Sequence, residues 1–131
     1  MRLTYSVMKG MIEVVVGILN KDCGPQLRNC LRSLQEQTLK RIAVVVVDGK
    51  SRDNSLQVLR EFSKADPRIK YFVQRSNGTG MARNELIDYV KSHFPNTKVI
   101  VWGDAENIYP PDYLEKLLKA KAEIVGGINI I

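Results

Sequence analysis

"IAVVVVDGKSRDNS", residues 42–55, runs six apolar residues together, stops on an acid and passes into a polar, charged turn. A strand with one wet face alternates apolar and polar side chains, because successive residues point to opposite sides of the sheet. This run does not alternate, so both of its faces are covered, as in parallel sheets sandwiched between crossover helices. Working outward, similar short runs occupy residues 12–19, 69–73, 99–102 and 124–125. Between them Leu27, Cys30, Leu31 and Leu34 recur at helical spacing, as do Leu56, Leu59 and Phe62, then Leu86, Ile87 and Val90, then Leu114, Leu117 and Leu118. Pro25 suits an early helical position, Ser51 or Asp53 would cap the second helix, and Pro111 with Asp112 would open the fourth. The alternation β-α-β-α-β-α-β-α-β predicts an α/β fold: an open, mostly parallel, doubly wound sheet with helices on both faces.

With 131 residues the chain is long enough for one domain and too short for two ordinary ones. Residues 1–11 read as a flexible leader and 12–131 as the domain. The balance of 44% hydrophobic and 26% charged residues is that of a soluble globular protein. No apolar run approaches the roughly 20 residues needed to span a bilayer, and the first residues lack the apolar core of a secretion signal. The expected location is the cytoplasm, with peripheral association at the inner face of the membrane left open. Cys23 and Cys30, seven apart with no CxxC or Cys/His cluster around them, are expected to be free thiols. Twenty basic against fourteen acidic side chains give a net charge of +6, which favours a polyanion, a sugar nucleotide or an anionic headgroup. The basic residues are scattered and carry no interleaved aromatics, so nucleic acid is not an expected partner.

In open α/β sheets ligands sit beyond the carboxyl ends of the strands. That rule selects three tips: "LNKD" (19–22), "DGKSRDNS" (48–55) and "GDAEN" (103–107). Asp48, at the end of a buried strand, must be hydrated, paired or used. A nicotinamide enzyme would use such an acid on a ribose, but its glycine-rich first turn is missing from "GILNKDCGP" (17–25). A structural Asp48, bonding to the following turn, stays open. "SNGTGMARN" (76–84) sets Gly78 and Gly80 ahead of a helix whose free N–H groups attract an anion, with Arg83 inside its first turns. Asp104 and Glu106, two apart in an extended segment, would project to one side roughly 6.5–7 Å apart. Two such carboxylates suit magnesium or manganese, which commonly bind through one or two acids plus substrate phosphates. The alternative, solvated loop acids that cap the next helix, also stays open.

Together these segments resemble the nucleotide-binding half of glycosyltransferase family 2, the inverting group with the GT-A fold. "VVVGILN" (14–20) is similar to the family's first strand with its Pro-Thr-Tyr-Asn tip, and "LRNCLRSLQEQTLKRIAVVVVDGKSRDNS" (27–55) to the following helix and its Val-Val-Asp-Asp-Gly-Ser-Thr-Asp segment. "NGTGMARNELI" (77–87) resembles the glycine-led helix containing Ala-Arg-Asn, and "VWGDAEN" (101–107) stands where the Asp-X-Asp metal motif sits, with "PPDYLEKL" (110–117) after it. The resemblance implies transfer of a sugar from a nucleoside-diphosphate sugar, metal-assisted and inverting, to a glycan, lipid or protein acceptor. It implies that Asn20 and Asp48 line the nucleoside pocket, that Arg83 faces base or phosphates, and that Asp104 and Glu106 hold a magnesium or manganese ion, Asp104 also touching the donor. Leu19 replaces an aromatic, Gly49 a second Asp, and Glu106 a shorter acid.

Family members continue into an acceptor half that supplies the catalytic base, so that base is expected beyond Ile131. The rival expectations are a non-catalytic or partner-completed module, self-associating through the apolar edge at 124–131, and a nucleotidyltransferase.

Overall fold

The computed structural model describes residues 10–121 and 129–130. Its strands are β1 (Val14–Asn20), β2 (Ile42–Asp48), β3 (Ile69–Val73), β4 (Val99–Asp104) and the short β5 (Asn129–Ile130). The helices between them are α1 (Gly24–Gln35), α2 (Ser55–Ala65), α3 (Thr79–His93) and α4 (Tyr113–Ala120). The strands lie in the order β3-β2-β1-β4-β5, and every pair is parallel.

All seven residues of β2 are buried, which is the physical meaning of its unbroken apolar run. Val44 and Val46 face a core built with Leu27, Leu31 and Leu34 of α1, Val58 and Leu59 of α2, and Leu114 of α4. Ala43, Val45 and Val47 face the other core, with Leu86 and Val90 of α3, and Phe94. Helices on both faces make the sheet doubly wound, as the sequence predicts. The chain leaves β1 toward β2 and β3, then crosses by α3 to β4 on the other side of β1, so the strand order reverses between β1 and β4. In open sheets of this kind the point of reversal, here the shared tip of β1 and β4, is where a crevice for ligands opens.

Several boundaries differ from expectation. Ile12 is buried against the α3 core but precedes β1, which begins at Val14. Asp53 braces the start of α2, accepting from the backbone N–H and the hydroxyl of Ser55 at 2.9 and 2.5 Å, whereas the Ser51 hydroxyl turns to Asp48 at 2.7 Å. Asp112 precedes α4 without capping it through its side chain, which pairs with Lys116 one turn on at 2.9 Å. The expected strand at 124–125 and the leader at 1–9 lie outside the described residues, and of the apolar tail only Asn129–Ile130 is described, paired with Val99 and Ile100 of β4.

Gly17 sits opposite Trp102 in the register of β1 with β4. A Cβ at Gly17 would lie 3.0 Å from the Trp102 ring and 3.1 Å from Leu86, so the indole occupies the space a side chain would fill. Gly17→Val is expected to destabilise the protein by about 1–3 kcal/mol through overpacking. Urea unfolding checks this, and an unchanged midpoint would show that the indole swings away freely.

Candidate functional site

The floor of the site is the joint between the tips of β1 and β2. Asp48 is 0% exposed, and its carboxylate accepts from Asn20 Nδ2 at 2.9 Å, Ser51 N at 2.8 Å and Ser51 Oγ at 2.7 Å. The buried acid is thus satisfied from within the chain, which stabilises what would otherwise be a costly desolvated charge. Asn20, only 3% exposed, spends its amide nitrogen on Asp48 and leaves Oδ1 buried without a partner among the described residues. The two loops above are laced together as well. Asp22, in the left-handed region at φ 54°, accepts from Arg52 N at 2.7 Å, while Asp53 Oδ2 accepts from Gly24 N at 2.9 Å.

Above this floor opens a cleft of about 920 Å³, bounded by the tips of all four long strands. Lys21, Lys50 and Arg52 line one part of it, Asp104 and Glu106 another, and Gln74, Ser76, Asn77 and Gly78 a third. None of those three cations forms an ion pair with a described residue. The cleft therefore offers uncompensated positive charge beside a pair of carboxylates, a bipolar surface suited to a phosphorylated ligand carrying a metal ion.

The third wall is held by two side chains. Gln74, largely buried, donates to the Gly78 carbonyl at 2.8 Å. Glu85 of α3 accepts from the backbone N–H groups of Arg75 and Ser76 at 2.9 and 3.0 Å, and from the Ser76 hydroxyl. The Ser76 hydroxyl, and then those two N–H groups, lower the Glu85 carboxyl to about 2 from its ordinary 4.5. Because the folded value is depressed, this bracing is complete above pH 4.5 and is lost as the pH falls through about 2. The amide resonances of Arg75 and Ser76 should titrate with a midpoint near 2, and should stay flat in Glu85→Gln. A midpoint near 4.5 would refute the bracing.

The acids sit on a turn rather than in the extended segment the sequence suggested. β4 ends at Asp104, and Asn107 N donates back to the Asp104 carbonyl at 3.1 Å, because Ala105 between the two acids tucks into the core at 2% exposure. Both acids are exposed and both reach the cleft. Glu106 accepts a long contact from Cys23 Sγ at 3.6 Å, and burial followed by the charge of Asp104 pushes the Cys30 thiol up to about 12. Both cysteines are free. No group of three or more histidine, cysteine or acidic side chains suited to a metal occurs among the described residues. Two exposed carboxylates without a described cationic partner are nonetheless a donor set that fits a hard divalent ion whose other positions are filled by phosphate oxygens and water.

The segment bearing the acids is fastened to α1 and the turn after it. Tyr109 N donates to Ser33 Oγ at 3.1 Å, and Thr38 N to the Pro111 carbonyl at 2.8 Å. Gln37 Nε2 donates to the Pro110 carbonyl at 2.6 Å, while its Oε1 accepts from Leu114 N at 3.0 Å. Glu115, in the first turn of α4, accepts from the Thr38 hydroxyl at 2.6 Å.

The structure thus brings Asn20, Asp104 and Glu106 to one cleft, and sets Asp48 beneath its floor. Arg83 is exposed and lies outside the cleft lining, its guanidinium 5.6 Å from the centroid of the Trp102 ring. Sequence reasoning gave no role to Lys21, Lys50, Gln74 or Glu85. Lys50 had a findable signal, a cation in a turn motif at a strand tip, whereas Glu85 acts across 9–10 residues of chain and had none.

Comparison with known proteins identifies the family and the fold. The model of the family described as "Glycosyl transferase family 2" matches residues 13–127. The chain is 30% identical to EpsH of Bacillus subtilis over 112 residues, covering 86% of this chain and 30% of EpsH. It is 33% identical to the glycosyltransferase GlyA of Streptococcus pneumoniae over 119 residues, covering 91% of this chain and 16% of GlyA. The chain therefore spans less than a third of the length of these relatives. Among solved structures, S. aureus TarS 1–349 in complex with UDP superposes with a TM-score of 0.71 at 20% identity, over 86% of this chain and 32% of that one. The mannosyltransferase PcManGT from Pyrobaculum calidifontis, in complex with GDP-Man and Mn2+, gives 0.66 at 21% identity, over 75% of this chain and 28% of that one. These two likenesses establish the fold as GT-A.

Proposed function

The chain belongs to glycosyltransferase family 2, and from that premise we propose that residues 12–131 form a donor-binding domain that takes a nucleoside-diphosphate sugar together with magnesium or manganese. The observation that carries this reading is the cleft itself, which joins the Asp104 and Glu106 carboxylates, three cations that form no ion pair with a described residue, and Asn20, whose Oδ1 has no described partner, at the strand-reversal edge. Two similar structures were solved with GDP-Man and Mn2+ and with UDP, ligands of the class this surface suits.

In this reading Asp104 and Glu106 hold the ion, and Asp104 also orients the donor. When bound, the ion supplies Lewis-acid stabilisation of the departing diphosphate. Lys21 and Arg52 add positive charge beside the phosphates, and Asn20 contacts the nucleoside. Asp48 serves the donor from beneath, by fixing the amide of Asn20. Transfer proceeds with inversion: the acceptor oxygen bonds to the anomeric carbon as the bond from that carbon to the diphosphate oxygen breaks, and a general base takes the acceptor proton. Asp112 is tied to Lys116 and Glu115 to Thr38, so this reading assigns the base outside the described residues. Two free thiols suit a reducing, cytoplasmic setting. No helix among the described residues is long and apolar enough to cross a membrane.

Titration calorimetry with uridine and guanosine sugar nucleotides, with and without manganese, tests the reading. Manganese-dependent binding of at least one donor is expected. Absence of binding by any of them, with or without the ion, would end it.

A further inference from the structure

Gly103 pairs with Ile18 in the register of β4 with β1 and immediately precedes Asp104. Its backbone stays outside the left-handed region that favours glycine, so conformation does not require glycine there. Space does. A Cβ at Gly103 would collide with the Tyr109 hydroxyl oxygen, and would lie 3.1 Å from Tyr109 Cζ and 3.0 Å from Ile18 Cδ1. The phenol of Tyr109 therefore fills the place of the missing side chain, at the point where β4 passes into the turn that carries Asp104 and Glu106.

The ring is held from three directions. Tyr109 N donates to Ser33 Oγ of α1 at 3.1 Å, Tyr113 of α4 lies against it with ring centroids 5.0 Å apart, and Gly103 receives its tip. The tip is the costly part, because Tyr109 Oη is buried and makes no hydrogen bond with a described residue. Phenylalanine would fill the core equally well without burying an unpaired oxygen, so packing alone does not account for the hydroxyl. Burial pushes the phenol above its ordinary value, against the pull of the Asn107 side chain and the Asp104 backbone, so the oxygen lies within reach of both ends of the turn. That turn is closed by Asn107 N donating to the Asp104 carbonyl at 3.1 Å, with Ala105 tucked into the core. Neither of its acids is braced by an ion pair with a described residue. The path of the backbone thus sets where the two carboxylates stand, and a metal site depends on the groups that fix its ligands.

We propose that Tyr109 is a positioning residue for the acid pair: its hydroxyl, lodged over Gly103, fixes the turn from Asp104 to Asn107 and so the separation at which Asp104 and Glu106 meet a divalent ion. This rests on the metal-holding reading above and adds to it the residue that sets the geometry of the site.

The test is manganese binding to the 131-residue chain with UDP or GDP present, read from the paramagnetic resonance of the free and the bound ion. Tyr109→Phe should lower manganese affinity about tenfold, the scale on which a metal site suffers when a group that orients its ligands is removed. The spectrum of the bound ion should change shape, while the melting temperature holds or rises because one fewer unpaired oxygen is buried. Gly103→Ala, which displaces the phenol from the other side, should also lower the affinity. Added to Tyr109→Phe, it should cost less than when added to wild type, because the colliding oxygen is gone. Unchanged manganese affinity in Tyr109→Phe, whatever its melting temperature, would overturn the role of Tyr109 and leave the metal site standing. So would a loss of affinity with an unaltered bound-ion spectrum, or losses that simply add in the double variant. A wild-type chain that binds no manganese with either nucleotide would remove the metal-holding reading itself, and this proposal with it.

Discussion

Asp104→Ala should weaken manganese-dependent donor binding by about 100-fold, on the scale of losing a determinant of a metal site, while leaving the fold intact. The two effects separate because the described hydrogen bonds of Asp104 run through its backbone carbonyl, which accepts from Cys30 Sγ at 3.6 Å and Asn107 N at 3.1 Å. Alanine keeps that carbonyl. The carboxylate itself is exposed to the cleft and carries no ion pair with a described residue, so its removal takes away a ligand and no described ion pair or hydrogen bond. Calorimetry with the donor that binds wild type, run with and without manganese, reads the first effect, and thermal unfolding reads the second. The Cys30 thiol supplies a third readout. Its raised pKa, about 12, comes first from burial and then from the Asp104 charge, so it should fall in the variant but remain above the ordinary thiol value of 9.0. Unchanged donor affinity in manganese, repeated with Glu106→Gln, would mean that these acids do not hold the ion.

Gln37→Leu should cost about 2–4 kcal/mol of stability, although it replaces a polar side chain by an apolar one of similar size in a fully buried place. Gln37 is 0% exposed, and its amide is used at both ends: Nε2 donates to the carbonyls of Ser33 at 3.2 Å and Pro110 at 2.6 Å, and Oε1 accepts from Leu114 N. Leucine would leave the Pro110 carbonyl and the Leu114 N–H without these partners, each at a desolvation cost of about 1–3 kcal/mol. For a domain of this size the melting temperature should drop on the order of 10 °C. Because Gln37 anchors the chain just after Asp104 and Glu106, donor affinity should fall as well, by less than in Asp104→Ala. A stability loss below about 1 kcal/mol would show that solvent replaces the amide, and that the anchor at 109–114 rests on Ser33 and Thr38 instead.

The fold was legible in the residues because burial leaves a local trace. The unbroken run of β2, the helical spacing of Leu27, Leu31 and Leu34, and Pro25 at the start of α1 each report an environment averaged over neighbouring residues. The placement of Asn20, Asp104 and Glu106 at one edge followed from topology, since parallel strands joined by crossovers bring all their carboxyl ends to the same side. Which of those side chains open to the cleft and which are consumed by the protein was decided only by the tertiary structure. Asp48 is saturated by Asn20 and Ser51, Arg83 lies over Trp102, α4 is capped by Gln37 rather than through the Asp112 side chain, and Lys50 enters a left-handed turn that points to Asn77. Hydrogen bonds of the kind joining Asn20 to Asp48 or Gln37 to Leu114 span 28 and 77 residues. Their energy depends on angstrom-scale approach between segments that share no local pattern, so periodicity carries no record of them.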